Sequence, residues 1–301
     1  MNIYLDCIPC FVRQALDAVR NITDDARLHE QIVREVLRLA AGVDLNRPPP
    51  WVAQLIHRRL RELTGVDDPY RAAKDRFNRL ALALLPELRA IIRRDPQPLL
   101  AAVRAAIAAN VIDLGVKSAL SVEQAHEALL AACATEVHGD LAGFQRSAQA
   151  ARDILYLADN AGEIAIDRLL IEELGHDRVT LAVRGKPVIN DATMEDARAA
   201  GLPGLVTVID NGSDAPGTIL EECSEEFRRR FAEADLIIAK GQGNFETLSG
   251  VEANLVFLFK VKCPVIARHT GLPLGMHVLR ARTDVVPQPA QDPSRSALAA
   301  G

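Results

Sequence analysis

The hydrophobic period of this chain changes once, near residue 154, and that change restricts the fold more than any other feature. Before it, apolar residues recur at helical spacing over 10–20, 28–41, 51–64, 70–95, 98–109, 120–134 and 139–151. Asp24 and Asp25 stand ready to cap the second of these helices, Gly42 to stop it, and Pro48-Pro49-Pro50 to break the chain ahead of the third. After the change, short β-branched or aromatic runs at 154–158, 179–183, 205–209, 236–239 and 256–259 alternate with helical stretches at 164–174, 194–200, 219–234 and 250–255. Such alternation requires right-handed crossovers and a mostly parallel sheet. The expected organisation is α/β, with a helical domain over residues 1–150 and an α/β domain over 151–282. Residues 283–301, with Pro287, Pro289 and Pro293, read as a disordered tail.

A chain of 301 residues that is 49% hydrophobic has ample material for a core. Its formal net charge is −5 and its Lys and Arg are spread along the chain, so nucleic acid is excluded as the expected partner. No apolar run approaches the length of a membrane span, and the first residues carry neither a basic region nor a cleavage site. The expected location is the cytoplasm, and the expected partner is not a membrane.

The polar residues that matter gather where strands end. In an open parallel sheet, ligands collect at the carboxyl ends of strands, where helix N-termini point their amides outward. The first strand is followed by Asp159-Asn160-Ala161-Gly162-Glu163, and an adjacent acid and amide suit a hard divalent cation. Asp159 alone reads equally well as a helix cap. The next strand is followed by Arg184 and then Asn190-Asp191, and the third by a long polar loop from Asp210 to Thr218. After the fourth comes Lys240-Gly241-Gln242-Gly243-Asn244-Phe245-Glu246, where glycines let backbone amides approach an anion and Lys240 adds charge. This is neither a Walker A nor a complete dinucleotide-binding motif. Caps and glycine turns explain each cluster singly; four at one sheet edge ask for a ligand. Lys260 and Lys262 close the last strand, and Lys262 is expected to reach the same place.

Asn110 and Asp113 interrupt the helical half with short polar side chains in apolar surroundings, readable either as a C-cap with a new N-cap or as site residues. Cys7-Ile8-Pro9-Cys10 opens a helix, where a thiol can be acidified, bind metal or cycle redox, or simply pack. A structural zinc would need two more soft ligands in a paired motif, which the sequence lacks. Five cysteines without an export signal do not form a disulfide framework. There is no Gly-x-Ser-x-Gly elbow and the histidines are scattered, with His29, His57, His126 and His138 expected at the surface of the helical half.

At Asp159-Asn160-Ala-Gly-Glu, Asn190-Asp191, 240–246 and the N-terminal Asp6-Cys7-Ile8-Pro9-Cys10, the chain resembles the family catalogued as domain of unknown function 89. That family is also described as damage-control phosphatase-like and metal-binding. The likeness runs from about Tyr4 to about Leu279, and the C-x-x-C is that of its prokaryotic branch. The resemblance implies a helical domain packed on a Rossmann-like domain, with a divalent cation between them held by Asp159, Asn160 and Asp191. It implies that Asn110 and Asp113 line the site, although Ala109 stands where the family has glycine. It further implies a substrate loop of Lys240, Gly241, Gln242, Gly243, Asn244 and Glu246, and a lysine at Lys262, which here lacks the flanking Arg-Thr of related branches.

The function these features lead us to expect is a phosphatase using Mg²⁺, Mn²⁺, Co²⁺ or Ni²⁺ on a small phosphorylated metabolite, such as a sugar phosphate or a damaged phosphopantetheine. Asp159 or Asp113 would act as base or nucleophile, and the backbone amides of Gly241 to Asn244, with Lys240 or Lys262, would offset phosphoryl charge. The alternatives are methyl transfer from S-adenosylmethionine to a carboxylate, and a non-catalytic metal or metabolite sensor. An oxygen-rich site favours the phosphatase, because methyl transfer needs no such metal.

Overall fold

The computed structural model describes residues 1–110 and 122–284. Asp113 and the expected tail beyond Asp284 lie outside the described residues. The chain opens with five helices, α1 (Cys7–Arg20), α2 (Ala26–Ala41), α3 (Pro49–Thr64), α4 (Arg71–Arg94) and α5 (Pro98–Ala108). Local chemistry sets several of their ends. The Asp25 carboxylate accepts from the amide of Arg27 at 2.9 Å to begin α2, and Gly65, at φ 67°, ends α3 in a left-handed turn. Then follow α6 (Val122–Cys133), β1 (Val137–His138) and α7 (Leu141–Ala150).

The α/β half comprises β2 (Ile154–Leu157), α8 (Glu163–Leu174), β3 (Val179–Val183), α9 (Met194–Ala199), β4 (Thr207–Asp210), α10 (Glu225–Glu233), β5 (Leu236–Lys240), α11 (Gly241–Leu248), β6 (Leu255–Lys260), α12 (Pro264–Thr270) and β7 (His277–Ala281). The strands form one sheet in the order β1-β7-β6-β5-β2-β3-β4. All pairings are parallel except β6 with β7, so the expected α/β class with a mostly parallel sheet is what the chain adopts. No helix among the described residues is long and apolar enough to cross a membrane.

A parallel sheet must be covered on both faces. Leu155, Leu157, Ile237 and Ala239 face one way and pack with Phe227, Phe231, Phe245 and Ile266 from α10, α11 and α12. Ile154, Tyr156, Leu236 and Ile238 face the other way, into a larger core with Ile164, Leu170 and Ile171 of α8. That core also takes Phe77, Ala81 and Leu88 from α4 and the run from Ala101 to Ala109 around α5. Each large apolar side chain so buried contributes about 1.5–3 kcal/mol. The alanines of α5 carry little bulk and let its backbone approach α8 closely.

The expected border at residue 150 is therefore not a seam. Helices α4 and α5 complete one face of the sheet, and β1 pairs in parallel with β7. Only α1, α2 and α3 form a cluster of their own, around Ile3, Phe11, Ala15, Val19, Ile32, Val36 and Ile56. Three local expectations are also corrected. Residues 219–234 are a 3₁₀ turn (Leu220–Glu222) and then α10, because the Ser224 hydroxyl accepts from the Phe227 amide at 3.2 Å and starts a fresh helix. Residues 250–254 are loop, with β6 beginning at Leu255. The glycine-rich stretch from Gly241 is the first turn of α11, following β5 without an intervening loop.

Candidate active site

Strand order reverses at β2, which has β3 on one side and β5 on the other. In such sheets the crevice outside the carboxyl ends of those strands is the ligand site. Asp159 and Asn160 follow β2, Arg184 and Asp191 follow β3, and Gly241 follows β5.

Backbone pairing joins the first two groups. The Ala192 amide donates to the Asp159 carbonyl at 2.8 Å, the Ala161 amide to the Asn190 carbonyl at 2.9 Å, and Asn160 forms an antiparallel bridge with Asp191. Cross-strand neighbours in such a bridge lie roughly 5 Å apart, which sets Asn160 beside Asp191, and the Asp159 carboxylate is within electrostatic reach of Asp191. The turn into this segment passes through Ile189 at φ 45°, a left-handed conformation that a β-branched residue adopts only under strain.

From the other direction, α4 props both sides of the segment. The Asn78 side chain accepts from the Gly162 amide at 2.7 Å and donates to Asp196 at 2.9 Å, and Asp196 is the partner of Thr193 in the capping box of α9. Lys74, fully buried, sits 3.0 Å from the same Asp196 carboxylate.

Several buried side chains complete the arrangement. The Asn160 amide nitrogen donates to Asp159 at 2.9 Å and to Glu163 Oε1 at 2.8 Å, and the Asn110 amide donates to that same Glu163 oxygen. Arg184 Nε donates to Asp191 at 2.7 Å, and its terminal nitrogens reach Thr218 and Asn244. Asn244 in turn donates to the Lys240 carbonyl at 2.7 Å and accepts from the Thr218 hydroxyl at 2.8 Å. Gly241 lies against the Asp159 carboxylate, so the free amides of the first turn of α11 border the acid pair.

Lys240 departs from its expected role. Its ammonium is 2.6 Å from Asp167 and 3.5 Å from Glu163, and all three side chains are buried. Burial works against its charge, but the two acids more than offset that and hold its pKa up. Lys240 is thus an internal counter-ion beneath the site. Lys262 is exposed at the rim, within electrostatic reach of Asp159, Asp191 and Glu246. Gln242 accepts from the Lys262 backbone amide at 3.1 Å and donates to Glu246 at 2.7 Å. Burial pushes the Glu246 carboxyl up to about 7.

The long loop after β4 serves mainly to anchor α3. Asp214 accepts from Arg58, Gln54 and Arg61, which outweighs its burial and holds its pKa down at about 2. Only Thr218 at the loop's end joins the site. His57, expected at the surface, is buried beside Arg61 with its pKa lowered to about 4. None of the five cysteines is in a disulfide among the described residues, and burial pushes the Cys7 thiol up to about 11 despite its place at the start of α1.

Burial, then repulsion from Glu163 and Asp191, raises the Asp159 carboxyl well above the usual range; Asp191 is raised too, chiefly by burial, against the pull of Arg184. Two buried acids beside an amide whose N–H groups are already engaged offer oxygens to a hard cation, and the donor set fits one. Among the described residues no three His, Cys, Asp and Glu side chains are arranged to hold a metal. A cation here would therefore rest on Asp159, Asp191 and the Asn160 carbonyl, with water or substrate supplying the remainder.

Residues 3–278 match the family model described as the damage-control phosphatase ARMT1-like domain. The chain belongs to that family. Among relatives of the ARMT1-like family, an uncharacterized protein of Methanocaldococcus jannaschii is 37% identical over 92% of this chain and 94% of its own length. A protein of Archaeoglobus fulgidus named damage-control phosphatase is 36% identical over 89% of this chain and 95% of its own. The crystal structure of a DUF89 family protein from Pyrococcus horikoshii superposes with a TM-score of 0.85 at 33% identity, covering 94% of this chain and 99% of that one. The resemblance read from the motifs is thus a family relationship along nearly the whole chain.

Four contributors to the ARMT1-like site escaped the sequence reading of roles. Arg184 and Glu163 stood inside the motifs, and their charge next to the site acids was the available signal. Asn78 and Lys74 lie in an amphipathic helix, where nothing local separates them from surface residues.

Proposed function

We propose that this chain is a divalent-metal-dependent phosphatase acting on a small phosphorylated metabolite. The observation that carries the reading is the buried pair Asp159 and Asp191, joined by Asn160 at the sheet's switch point and bordered by the amides of α11. Relatives named damage-control phosphatase support the same reaction class. A bound cation would withdraw charge from a phosphoryl oxygen. The chain's own residues do the rest. First-turn amides of α11 bind the non-bridging oxygens, and Lys262 at the rim neutralises part of their charge. Asp191 is tied to Arg184, so of this buried pair Asp159 is the carboxylate that accepts a proton from the attacking water. The water oxygen bonds to phosphorus, the ester P–O bond breaks, and the leaving alkoxide takes up the proton that Asp159 accepted, which restores the carboxylate.

Phosphate release from an aryl phosphate, measured with Mg²⁺, Mn²⁺, Co²⁺ and Ni²⁺, tests this. Asp159→Asn is expected to lower turnover at least 10³-fold while remaining folded, a loss on the scale of removing a central catalytic group. Full activity in that variant with metal supplied overturns the assignment. Binding of S-adenosylmethionine without phosphate release favours methyl transfer instead.

A further inference from the structure

A carboxamide can hold a cation only through its oxygen, so the side chain of Asn160 must be prevented from presenting its NH₂. Its two N–H groups are directed at two acceptors, Asp159 Oδ2 at 2.9 Å and Glu163 Oε1 at 2.8 Å. Both acceptors are carboxylates, so the amide has one satisfactory orientation. We propose that Glu163 is a positioning residue that turns the Asn160 carbonyl toward the cation, an inference that rests on the metal-binding reading above.

Glu163 is not placed to be a ligand itself. Oε1 accepts from both Asn160 and Asn110, while Oε2 faces Lys240 at 3.5 Å. The simpler account is an acid in the first turn of α8, favoured by the helix dipole. That account does not explain why the side chain is only 2% exposed and stands among other acids, a placement that is unfavourable in itself. Burial strengthens the pull of the dipole and Lys240 offsets part of the cost, but neither requires contact with two carboxamides. A carboxylate buried against two carboxamides is instead where a ligand's orientation is fixed, and outer-sphere partners of this kind alter metal affinity about 10–100-fold when replaced. Asn110 lies just beyond the end of α5, so the same oxygen also fastens the helical layer to the turn that bears Asp159 and Asn160.

The test uses Mn²⁺ binding, followed by electron paramagnetic resonance of the full chain, with thermal unfolding in EDTA as the readout of folding alone. Glu163→Leu removes the acceptor that Asn160 and Asn110 share and is expected to weaken Mn²⁺ binding about 10–100-fold, while metal-free unfolding records the separate loss of the contact with Lys240. Asn160→Asp separates orientation from general disruption, because a carboxylate presents oxygen at either end and needs no orienting partner. In the N160D background Glu163→Leu is therefore expected to change Mn²⁺ binding less than about threefold. Binding within twofold of wild type in E163L, or an equal loss from Glu163→Leu in both backgrounds, overturns the proposal while leaving the metal site standing. Failure of the wild-type chain to bind Mn²⁺ overturns both.

Discussion

Gly241 and Asp159 touch so closely that a methyl group on Gly241 would lie 2.1 Å from the Asp159 carboxyl carbon. Gly241 is also at φ +80°, where any side chain is strained. Gly241→Ala is therefore expected to displace Asp159 or unwind the first turn of α11. The expected outcome is at least 100-fold lower phosphatase turnover and weaker Mn²⁺ binding, read by phosphate release and by titration.

The two lysines flanking the site should behave oppositely. Lys240→Met leaves Asp167 and Glu163 without their buried partner, and breaking such a pair costs about 3–5 kcal/mol. Lys262→Met, at an exposed position, should change stability by less than about 0.5 kcal/mol yet raise KM for the phosphate ester. Urea unfolding and steady-state kinetics on both variants check this.

The anchor between α3 and the loop after β4 carries a pH signature. Asp214 has its folded pKa depressed from 3.8 to about 2, so its stabilisation is fully present above pH 3.8 and is lost as pH falls through 2. At 1.36 kcal/mol per unit, the increment is on the order of 2 kcal/mol. Unfolding free energy measured at pH 5 and pH 2.5 should show it in the wild type, and Asp214→Asn should remove it.

Cation binding to the folded chain alone must stabilise it. At about 100-fold excess over Kd the gain is about 2.7 kcal/mol, enough to raise the unfolding temperature by several degrees. Mn²⁺ should produce that rise and EDTA should reverse it. Asp191→Asn should abolish it, with the metal-free protein still folded.

Much of this fold was legible because hydrophobic period reports burial directly. The runs at β2, β3 and β5 have no alternation, which marks strands covered on both faces, and the structure covers them so. Asp159, Asn160 and Asp191 stood out because polar clusters follow several strands at one sheet edge, and the structure brings these three side by side. What escaped was whatever depends on neighbours distant in sequence. Lys240 looked like an anion ligand because its glycines did; only the packing of α8 beneath β5 brings Asp167 and Glu163, one helical turn apart, onto its ammonium. Asn78 and Lys74 read as ordinary helix positions, since nothing in α4 announces that it lies over the Asp159 turn. A change of period marks where strands begin, and the helices that cover them are free to precede it, as α4 and α5 do.

Because α4 and α5 roof one face of the sheet and carry Asn78 and Asn110 to the acid pair, the two halves of this chain cannot be inherited separately. A recombination between residues 150 and 151 would hand its recipient a sheet naked on one side and a pair of carboxylates without props. Successful domain exchange in this lineage should instead break the chain before α4, near Gly65, where the small N-terminal cluster ends.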